Sequence, residues 1–263
     1  MFNNTLLKTI YSKRWMLAAW FIGITALVVF TIALFPTFSK SLGESLKDVP
    51  DSLKAFVGDS TTYSTIAGFT DLQIIAQMQF MILIFGIILF TGVLAGEENE
   101  GSLQTLLGQP ISRGRVYLEK LAAASLLLAG VCMSIVVGVL IGLLFINEQL
   151  DVGRLLGATF ATWLVSLVFS GFGFALGAIT GKRGLSGGLA GALAFTALLI
   201  SSLADSVSSL KTVDKFSPFH YFNKPGILQY GVNWSDLAVL AIVSALILVI
   251  GAVVFAKRDI YQR

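Results

Sequence analysis

Serine and histidine are the residues of this chain whose types could support catalysis, and one serine stands in a protease-like setting. Gly184-Leu185-Ser186-Gly187 has the G-x-S-G form found around the nucleophile of some membrane-embedded proteases. Such a serine needs a base within hydrogen-bond reach, and the sole histidine is His220. The membrane spans predicted below separate Ser186 from His220 by roughly 30 Å. This distance argues against a membrane-embedded protease, which stays an alternative function to be tested.

A second motif resembles part of an ATPase but lacks the rest of the machinery. Leu185-Ser186-Gly187-Gly188 imitates the signature of an ATPase cassette. The Gly181-Lys182 pair is followed by Arg183 and has no glycine five residues before it, so it does not form a phosphate-binding loop. One cysteine and one histidine are too few for a structural zinc site. We therefore expect a chain that is not itself an enzyme and that binds no metal and no cofactor.

The composition indicates lipid rather than water as the surrounding medium. Of the 263 residues, 56% are hydrophobic and 13% are charged, and this charged share is about half that of a soluble domain. The mean hydropathy is +0.84. A net charge of +3 is too small to argue for nucleic acid as a partner. We expect a membrane protein in contact with lipid.

Six apolar stretches are long enough to cross a bilayer. A spanning helix needs about 20 apolar residues, whereas the strands of a membrane barrel would give short alternating segments. The sequence therefore predicts an all-α membrane protein with a single transmembrane domain, residues 1–263. Within this domain, residues 1–15 are predicted to form an interfacial helix before the first span. The predicted spans are 16–35, 72–95, 121–146, 155–180, 185–204 and 237–256.

The distribution of positive charge predicts the orientation of these spans. With six spans, both termini lie on the same side as the 96–120 loop and the 181–184 turn. That side carries 11 of the 18 Lys and Arg residues. The share of Lys and Arg in its connecting segments is more than twice the share in the segments on the other side. Positive residues favour the cytoplasmic side. We expect a multi-pass protein of the cell membrane with both termini in the cytoplasm.

The 97–120 loop contains the signals of a short helix. Ser102 is a suitable N-cap, and Leu103, Leu106 and Leu107 follow at helical spacing. Gly108 suits the end of a helix, and Pro110 prevents its continuation. A helix of this length is unstable alone, so other parts must hold it. Its leucines either close the end of the protein's own bundle or project into a groove on a cytoplasmic partner, and the residues alone favour neither.

The same loop resembles a known family. It is similar to the membrane subunit of type-2 ATP-binding-cassette (ABC) transporters, the six-helix permeases of multidrug and antibiotic exporters, which carry the pattern E-x-x-x-G-[ST]-L-x-x-L-L-x-x-P-[VI]-S-R. The resemblance is carried by Glu97-Glu98, Glu100-Gly101-Ser102-Leu103, Leu106-Leu107, Gln109-Pro110, Ile111-Ser112-Arg113 and Glu119-Lys120, and it is supported by Ser217-Pro218-Phe219-His220-Tyr221-Phe222 and Phe255-Ala256-Lys257-Arg258-Asp259-Ile260.

This resemblance implies a function and a set of partners. The short helix would be a cytoplasmic coupling helix that docks on a separate ABC ATPase subunit, which binds ATP and Mg. A second permease subunit, identical or paralogous, would complete a dimer that exports a hydrophobic or amphipathic substrate. The residues implied in coupling are Glu97, Glu98, Glu100, Gly101, Leu103, Leu106, Leu107, Pro110 and Arg113.

Two further features bear on transport. No ionisable residue lies inside a predicted span, which argues against the alternative of an ion-coupled secondary carrier. Gln77, Phe80 and Phe85 in the second span are candidates for the substrate pathway, with lipid contact or helix packing as their other possible role. Glycines at four-residue spacing predict close helix packing, either within one subunit or between subunits; they are Gly138/Gly142, Gly173/Gly177/Gly181 and Gly187/Gly191.

Overall fold

The computed structural model describes residues 5–39, 65–107, 111–204, 207, 209–222 and 226–258. Within these ranges the chain is almost entirely helical and contains no strand. Six helices are long and apolar enough to cross a membrane, which confirms the all-α membrane class. Numbered in chain order, spans 1 to 6 are Thr5–Ser39, Ile66–Asn99, Arg113–Ile146, Val152–Thr180, Arg183–Leu203 and Trp234–Lys257.

Capping side chains, rather than hydropathy, decide where three of the spans begin. Ser112 accepts a hydrogen bond from the Arg115 N–H at 3.3 Å and so caps the start of span 3. Asp151 accepts from the Gly153 N–H at 2.8 Å to open span 4. Asn233 opens span 6 in the same way. These polar caps satisfy free N–H groups, so the helices extend beyond the apolar limits and include charged residues near their ends.

Span 1 also begins earlier than its apolar stretch. Residues 5–15, predicted to form a separate interfacial helix, are helical but continue into span 1 without a break. No proline or glycine interrupts the chain before Gly23, so nothing ends the helix at the membrane surface. The Thr5 N–H donates to Glu119 Oε2 at 3.0 Å, and this bond fixes the start of span 1 to span 3. Residues 1–4 lie outside the described residues.

Both ends of the described chain lie at one end of the helix bundle, as the sequence predicts. We call it the basic end; it comprises the start of span 1, the 97–112 connection, the 180–183 turn and Arg258. Contacts from Thr5 to Glu119 and from Arg258 to Glu98 hold these parts together. The other end, called the opposite end, comprises residues 147–151, 204, 207, 209–222 and 226–233, with short helices at Leu210–Asp214 and Ile227–Tyr230.

Spans 2 and 4 form the centre of the bundle. Both are mostly buried, whereas spans 1, 5 and 6 are largely exposed on their outer faces. Phe90 of span 2 packs edge-on against Phe174 of span 4, at 6.0 Å between ring centroids. Tyr117 of span 3 packs on the same Phe174 ring and donates its hydroxyl hydrogen to the Leu248 carbonyl at 2.8 Å. Aromatic packing therefore joins spans 2, 3, 4 and 6 near the basic end.

Span 2 contains two wide turns of π-helix, Thr70–Ile75 and Gly92–Gly96. A π-helical turn holds one residue more than an α-helical turn and is frequent at functional sites. The first turn carries Asp71, whose buried carboxylate accepts the Leu228 N–H at 2.9 Å. The second turn ends directly before Glu97. Span 2 is therefore irregular where it meets the opposite end and where it meets the 97–112 connection.

Several of the spaced glycines pack within the chain. Gly138 and Gly142 of span 3 face Val28 and Ile32 of span 1, and a Cβ atom at either glycine would lie 2.7–2.8 Å from the Cβ atom of the facing side chain. A Cβ atom at Gly173 or Gly177 would lie 3.0–3.1 Å from a side chain of a neighbouring helix, whereas one at Gly191 would meet nothing within 4 Å. For Gly138, Gly142, Gly173 and Gly177, packing within one subunit is confirmed.

Substitution of Gly138 by alanine is expected to destabilise the protein by about 1–3 kcal/mol, because the added methyl group forces spans 1 and 3 apart. The quantity to measure is the free energy of unfolding in mixed detergent micelles. Gly191→Ala is the matched control, since its methyl group enters open space and alanine favours the helix. Equal stability of the two variants would show that spans 1 and 3 tolerate a wider separation.

Candidate functional site

The short helix of the 97–112 connection spans Ser102–Leu107, and we call it the connector helix. It begins at Ser102 rather than after it, directly following Gly101. Gly101 adopts a φ of +77°, a left-handed conformation that favours glycine and turns the chain sharply. The Ser102 hydroxyl donates to the Glu97 carbonyl at 3.2 Å. Gly101 thus shapes the start of the helix, whereas residues 108–110, including Gly108 and Pro110, lie outside the described residues.

The leucines of the connector helix differ in their environment. Leu103 is completely buried in the hydrophobic core of the chain itself, and Leu106 is half-buried against the same core. Leu103 therefore closes the end of the protein's own bundle, which is the first of the two roles left open by the sequence. Leu106 keeps part of its surface outside. The side chain of Leu107 lies outside the described part of the structure.

Glu97 forms an ion pair with Lys120 of span 3. The Lys120 side chain is only 3% exposed, so its ammonium group depends on this carboxylate for compensation of its charge. The pair joins the last turn of span 2 to the first turns of span 3, on the two sides of the connector helix. Glu97 therefore faces its own chain rather than open solvent.

Glu98 forms an ion pair with Arg258, 160 residues further along the chain. Arg258 donates from both terminal nitrogens to the two carboxylate oxygens, a planar double contact that suits a guanidinium group. The same guanidinium donates to the Ala178 carbonyl at 2.8 Å. Arg113 in turn donates to the backbone carbonyl of Arg258. Spans 2, 3, 4 and 6 are thus joined at one point of the basic end.

The turn between spans 4 and 5 belongs to the same cluster. Gly181 adopts a φ of +66° and ends span 4. A Cβ atom at this position would clash with Arg258 and Glu98. The predicted tight hairpin of spans 4 and 5 is present, and it closes directly against the Glu98–Arg258 pair. Lys120, Arg258 and Gly181 are thus site residues that the predicted coupling set did not contain.

The predicted coupling residues are therefore brought together, but most of their charged groups face inward. Glu97, Glu98 and Arg113 have partners within the chain. Glu100 is exposed, as is Ser102. Among the residues of this connection whose side chains the structure describes, Glu100, Ser102 and the open part of Leu106 are accessible to a second protein. We call these three residues the outer face of the connector.

The candidate pathway residues do not converge on one site. Gln77 is exposed and donates from its amide to Gln73 Oε1 at 2.7 Å. Phe80 is also exposed, on the surface that faces lipid or another subunit. Phe85 is buried, and its ring centroid lies 5.5 Å from that of Trp20 in span 1. Phe85 therefore has the helix-packing role, and the position of Phe80 matches the lipid-contact role.

Ser186 and His220 lie at different ends of the bundle. The Ser186 hydroxyl donates to the Lys182 carbonyl at 2.9 Å, near the start of span 5. His220 Nδ1 lies 2.5 Å from Asp214 Oδ2, and Ser201, at the far end of span 5, donates to that carboxylate. Fifteen residues of helix separate the two serines by about 22 Å. Ser186 therefore has no histidine base, and Ser201 contacts the acid rather than the histidine.

Comparison with known proteins gives one family. The sequence profile of a family described as ABC-2 family transporter protein matches residues 12–260, nearly the whole chain. No curated protein matches the chain. The match includes spans 2 to 6, the 97–112 connection and span 1 from residue 12 onward.

Proposed function

The chain belongs to the ABC-2 transporter family and is a multi-pass transmembrane subunit of an ABC transporter; from this premise we propose that it is a permease whose movements are driven by a separate ATPase subunit. The ATPase binds ATP and Mg, and this chain contributes no catalytic residue. The basic end faces the cytoplasm of the cell, because that end carries most of the Lys and Arg residues. Both termini then lie on the cytoplasmic side.

The observation that carries this proposal is the anchoring of the connector helix. A short helix transmits force only if both of its flanks are fixed to the parts that must move. Leu103 in the core and the pairs Glu97–Lys120 and Glu98–Arg258 provide that attachment. An ATPase pressing on the outer face of the connector would therefore displace spans 2, 3 and 6 together. An interface between two proteins usually has an apolar centre and a polar rim, and the outer face of the connector offers both.

The proposed assembly contains two permease subunits and two ATPases. The exposed apolar faces of spans 1 and 5 include Phe30, Leu189 and Phe195, and lipid or a second permease, identical or paralogous, covers them. The proposed cargo is hydrophobic or amphipathic and moves outward. The stretches between Leu72 and Ala95 and between Leu121 and Ile146 contain no Asp, Glu, Lys, Arg or His, which suits an uncharged or amphipathic cargo.

Charge reversal on the outer face of the connector tests the proposal. We expect Glu100→Lys combined with Leu106→Asp to lower co-purification of the ATPase with the tagged chain by at least about tenfold, because a buried charge in an interface centre costs several kcal/mol. Pull-down from detergent-solubilised membranes, followed by ATPase assay, measures this. Glu148→Lys is the control for the charge reversal at Glu100: it makes the same Glu-to-Lys change at an exposed site of the opposite end. Undiminished ATPase recovery with the double variant contradicts the docking role.

A secondary carrier is the remaining alternative, and inhibitors separate the two. Transport by an ATPase-driven permease is expected to stop when orthovanadate is added and to persist when a protonophore collapses the proton gradient. An ion-coupled carrier would show the reverse pattern. Inside-out vesicles containing both subunits provide the measurement, with ATP hydrolysis followed in parallel.

A further inference from the structure

The seam between spans 2 and 4 contains buried polar groups without hydrogen-bond partners. Among the described residues, four buried side-chain polar atoms lack a partner, and three of them belong to these two central spans at membrane depth: the amide nitrogen of Gln79 and the hydroxyls of Ser166 and Ser170. Gln79 is 2% exposed, and both serines are completely buried. The fourth, Thr70, also belongs to span 2, but it lies in the first wide turn, where span 2 meets the opposite end.

These three groups lie along one line of contact. Gly86 of span 2 packs so closely on span 4 that a Cβ atom there would clash with the Ser170 hydroxyl. Gln79 precedes Gly86 by seven residues, which is two helical turns on the same face. Ser166 precedes Ser170 by one turn. Because spans 2 and 4 run in the same direction, Gln79, Ser166 and Ser170 follow each other along the seam.

A fourth polar residue, Thr162, lies on the same line of contact. Thr162 lies one further turn along span 4, completely buried, and donates to the Ala158 carbonyl at 2.9 Å. Its bond is internal to span 4, so it makes no link to span 2. We call Gln79, Thr162, Ser166 and Ser170 the polar seam. It carries hydroxyls and an amide but no charged group.

Such groups are poorly suited to holding the two spans together. Polar residues strengthen helix contacts in membranes when they bond across the contact, and those of the polar seam do not. A buried polar atom without a partner lowers the stability of the state in which it is found. The arrangement is therefore unfavourable in the closed bundle and would become favourable in a state where the seam admits water or a polar ligand.

We propose that the polar seam is part of the transport pathway: spans 2 and 4 separate during the cycle, and Gln79, Ser166 and Ser170 bind the neutral hydrogen-bonding part of an amphipathic cargo. The proposal rests on the proposed permease function and adds the place and the chemistry of cargo contact. The wide turns at both ends of span 2 give this span the means to move relative to span 4.

Cysteine accessibility tests the proposal directly. Cys132 is the sole cysteine, so Cys132→Ala gives a background without thiols. Ser166→Cys and Ser170→Cys are introduced separately, and inverted vesicles containing the permease and its ATPase are treated with the charged reagent methanethiosulfonate-ethylammonium. Ser134→Cys is the matched control, because Ser134 is equally buried but donates to the Val131 carbonyl away from the seam. Glu148→Cys is the accessible control.

We expect both seam cysteines to react at least about tenfold faster during ATP turnover than in the vanadate-arrested or nucleotide-free state, as for any site exposed by local opening, while Ser134→Cys stays unreactive. Reaction that is independent of nucleotide would support the seam as a pathway but contradict its coupling to an ATPase. No reaction of either seam cysteine in any nucleotide state, with Glu148→Cys fully labelled, would overturn the proposal.

Stability and transport should change in opposite directions when the seam loses its polar groups. Ser166→Ala with Ser170→Ala is expected to raise the melting temperature of the complex by about 2–4 °C, because two unpaired hydroxyls are removed. The same variant is expected to show reduced stimulation of ATP hydrolysis by the amphipathic probe dodecyl maltoside. A merely structural seam would give the rise in melting temperature with unchanged stimulation, and that result would overturn the proposal.

Discussion

Replacing Glu97 by alanine is expected to lower the free energy of unfolding by about 3–5 kcal/mol, because it leaves a buried ammonium group without its counter-charge. Lys120 is the group concerned, and it is almost completely excluded from solvent. The positive charges of Lys8 and Lys13 act on Lys120 as well, which increases its need for a carboxylate. Unfolding in mixed micelles of dodecyl maltoside and sodium dodecyl sulfate measures the change.

Removing both charges at once provides the control for this experiment. Glu97→Leu combined with Lys120→Met leaves no unpaired group, and such replacements of buried pairs are often neutral. The double variant is therefore expected to recover most of the stability that Glu97→Ala loses. Glu148→Ala removes an exposed carboxylate and should change stability by less than about 0.5 kcal/mol. A loss of stability no greater for Glu97→Ala than for Glu148→Ala would show that Lys120 has another partner.

Exchanging the charges of Glu98 and Arg258 is expected to restore much of what either single reversal destroys. Glu98→Arg alone places two guanidinium groups together where the side chains are only 13% and 19% exposed, and Arg258→Glu alone places two carboxylates there. We expect each single variant to lose stability, and a favourable coupling energy of at least about 1 kcal/mol in the double variant. Rescue remains incomplete because the Ala178 carbonyl loses its donor.

This charge exchange also decides between the two roles considered for Glu98. A glutamate whose main partner is an ATPase would not be rescued by a change at Arg258 within the same chain. A glutamate that fixes the connector to span 6 would be rescued in both stability and ATPase recovery. Pull-down of the ATPase alongside unfolding measurements separates the two. Failure of the double variant to exceed the worse single variant would contradict the internal pair.

Hydropathy and caps were sufficient to predict the architecture of this chain. The six spans follow from runs of apolar residues, and the short helix of the 97–112 connection follows from Ser102 and the leucines after it, although it begins one residue earlier than predicted. The match of one family profile to residues 12–260 agrees with the resemblance in the loop. These features are local, because each depends on residues within a few turns of one another.

The partners of the charged residues could not be predicted in the same way. Glu98 and Arg258 are 160 residues apart, and a charge beside a predicted span looks the same whether it meets a second protein or the end of another helix. A contact of Glu97 and Glu98 with a partner is implied only by the family resemblance, whereas the structure pairs these carboxylates with Lys120 and Arg258 of the same chain. The polar seam was also missed, since single serines in an apolar span carry no distinguishing pattern.

The wide turns of span 2 have a consequence for how its length could vary among related chains. Each wide turn corresponds to an α-helical turn into which one residue has been inserted. Deleting a single residue within Gly92–Gly96 would convert that turn to regular α-helix and leave Phe90 and Glu97 in phase with their present neighbours. A deletion in the regular helix Ala76–Thr91 would instead rotate everything beyond it by about 100°. Span 2 can thus lose a residue at its two irregular turns without losing its register.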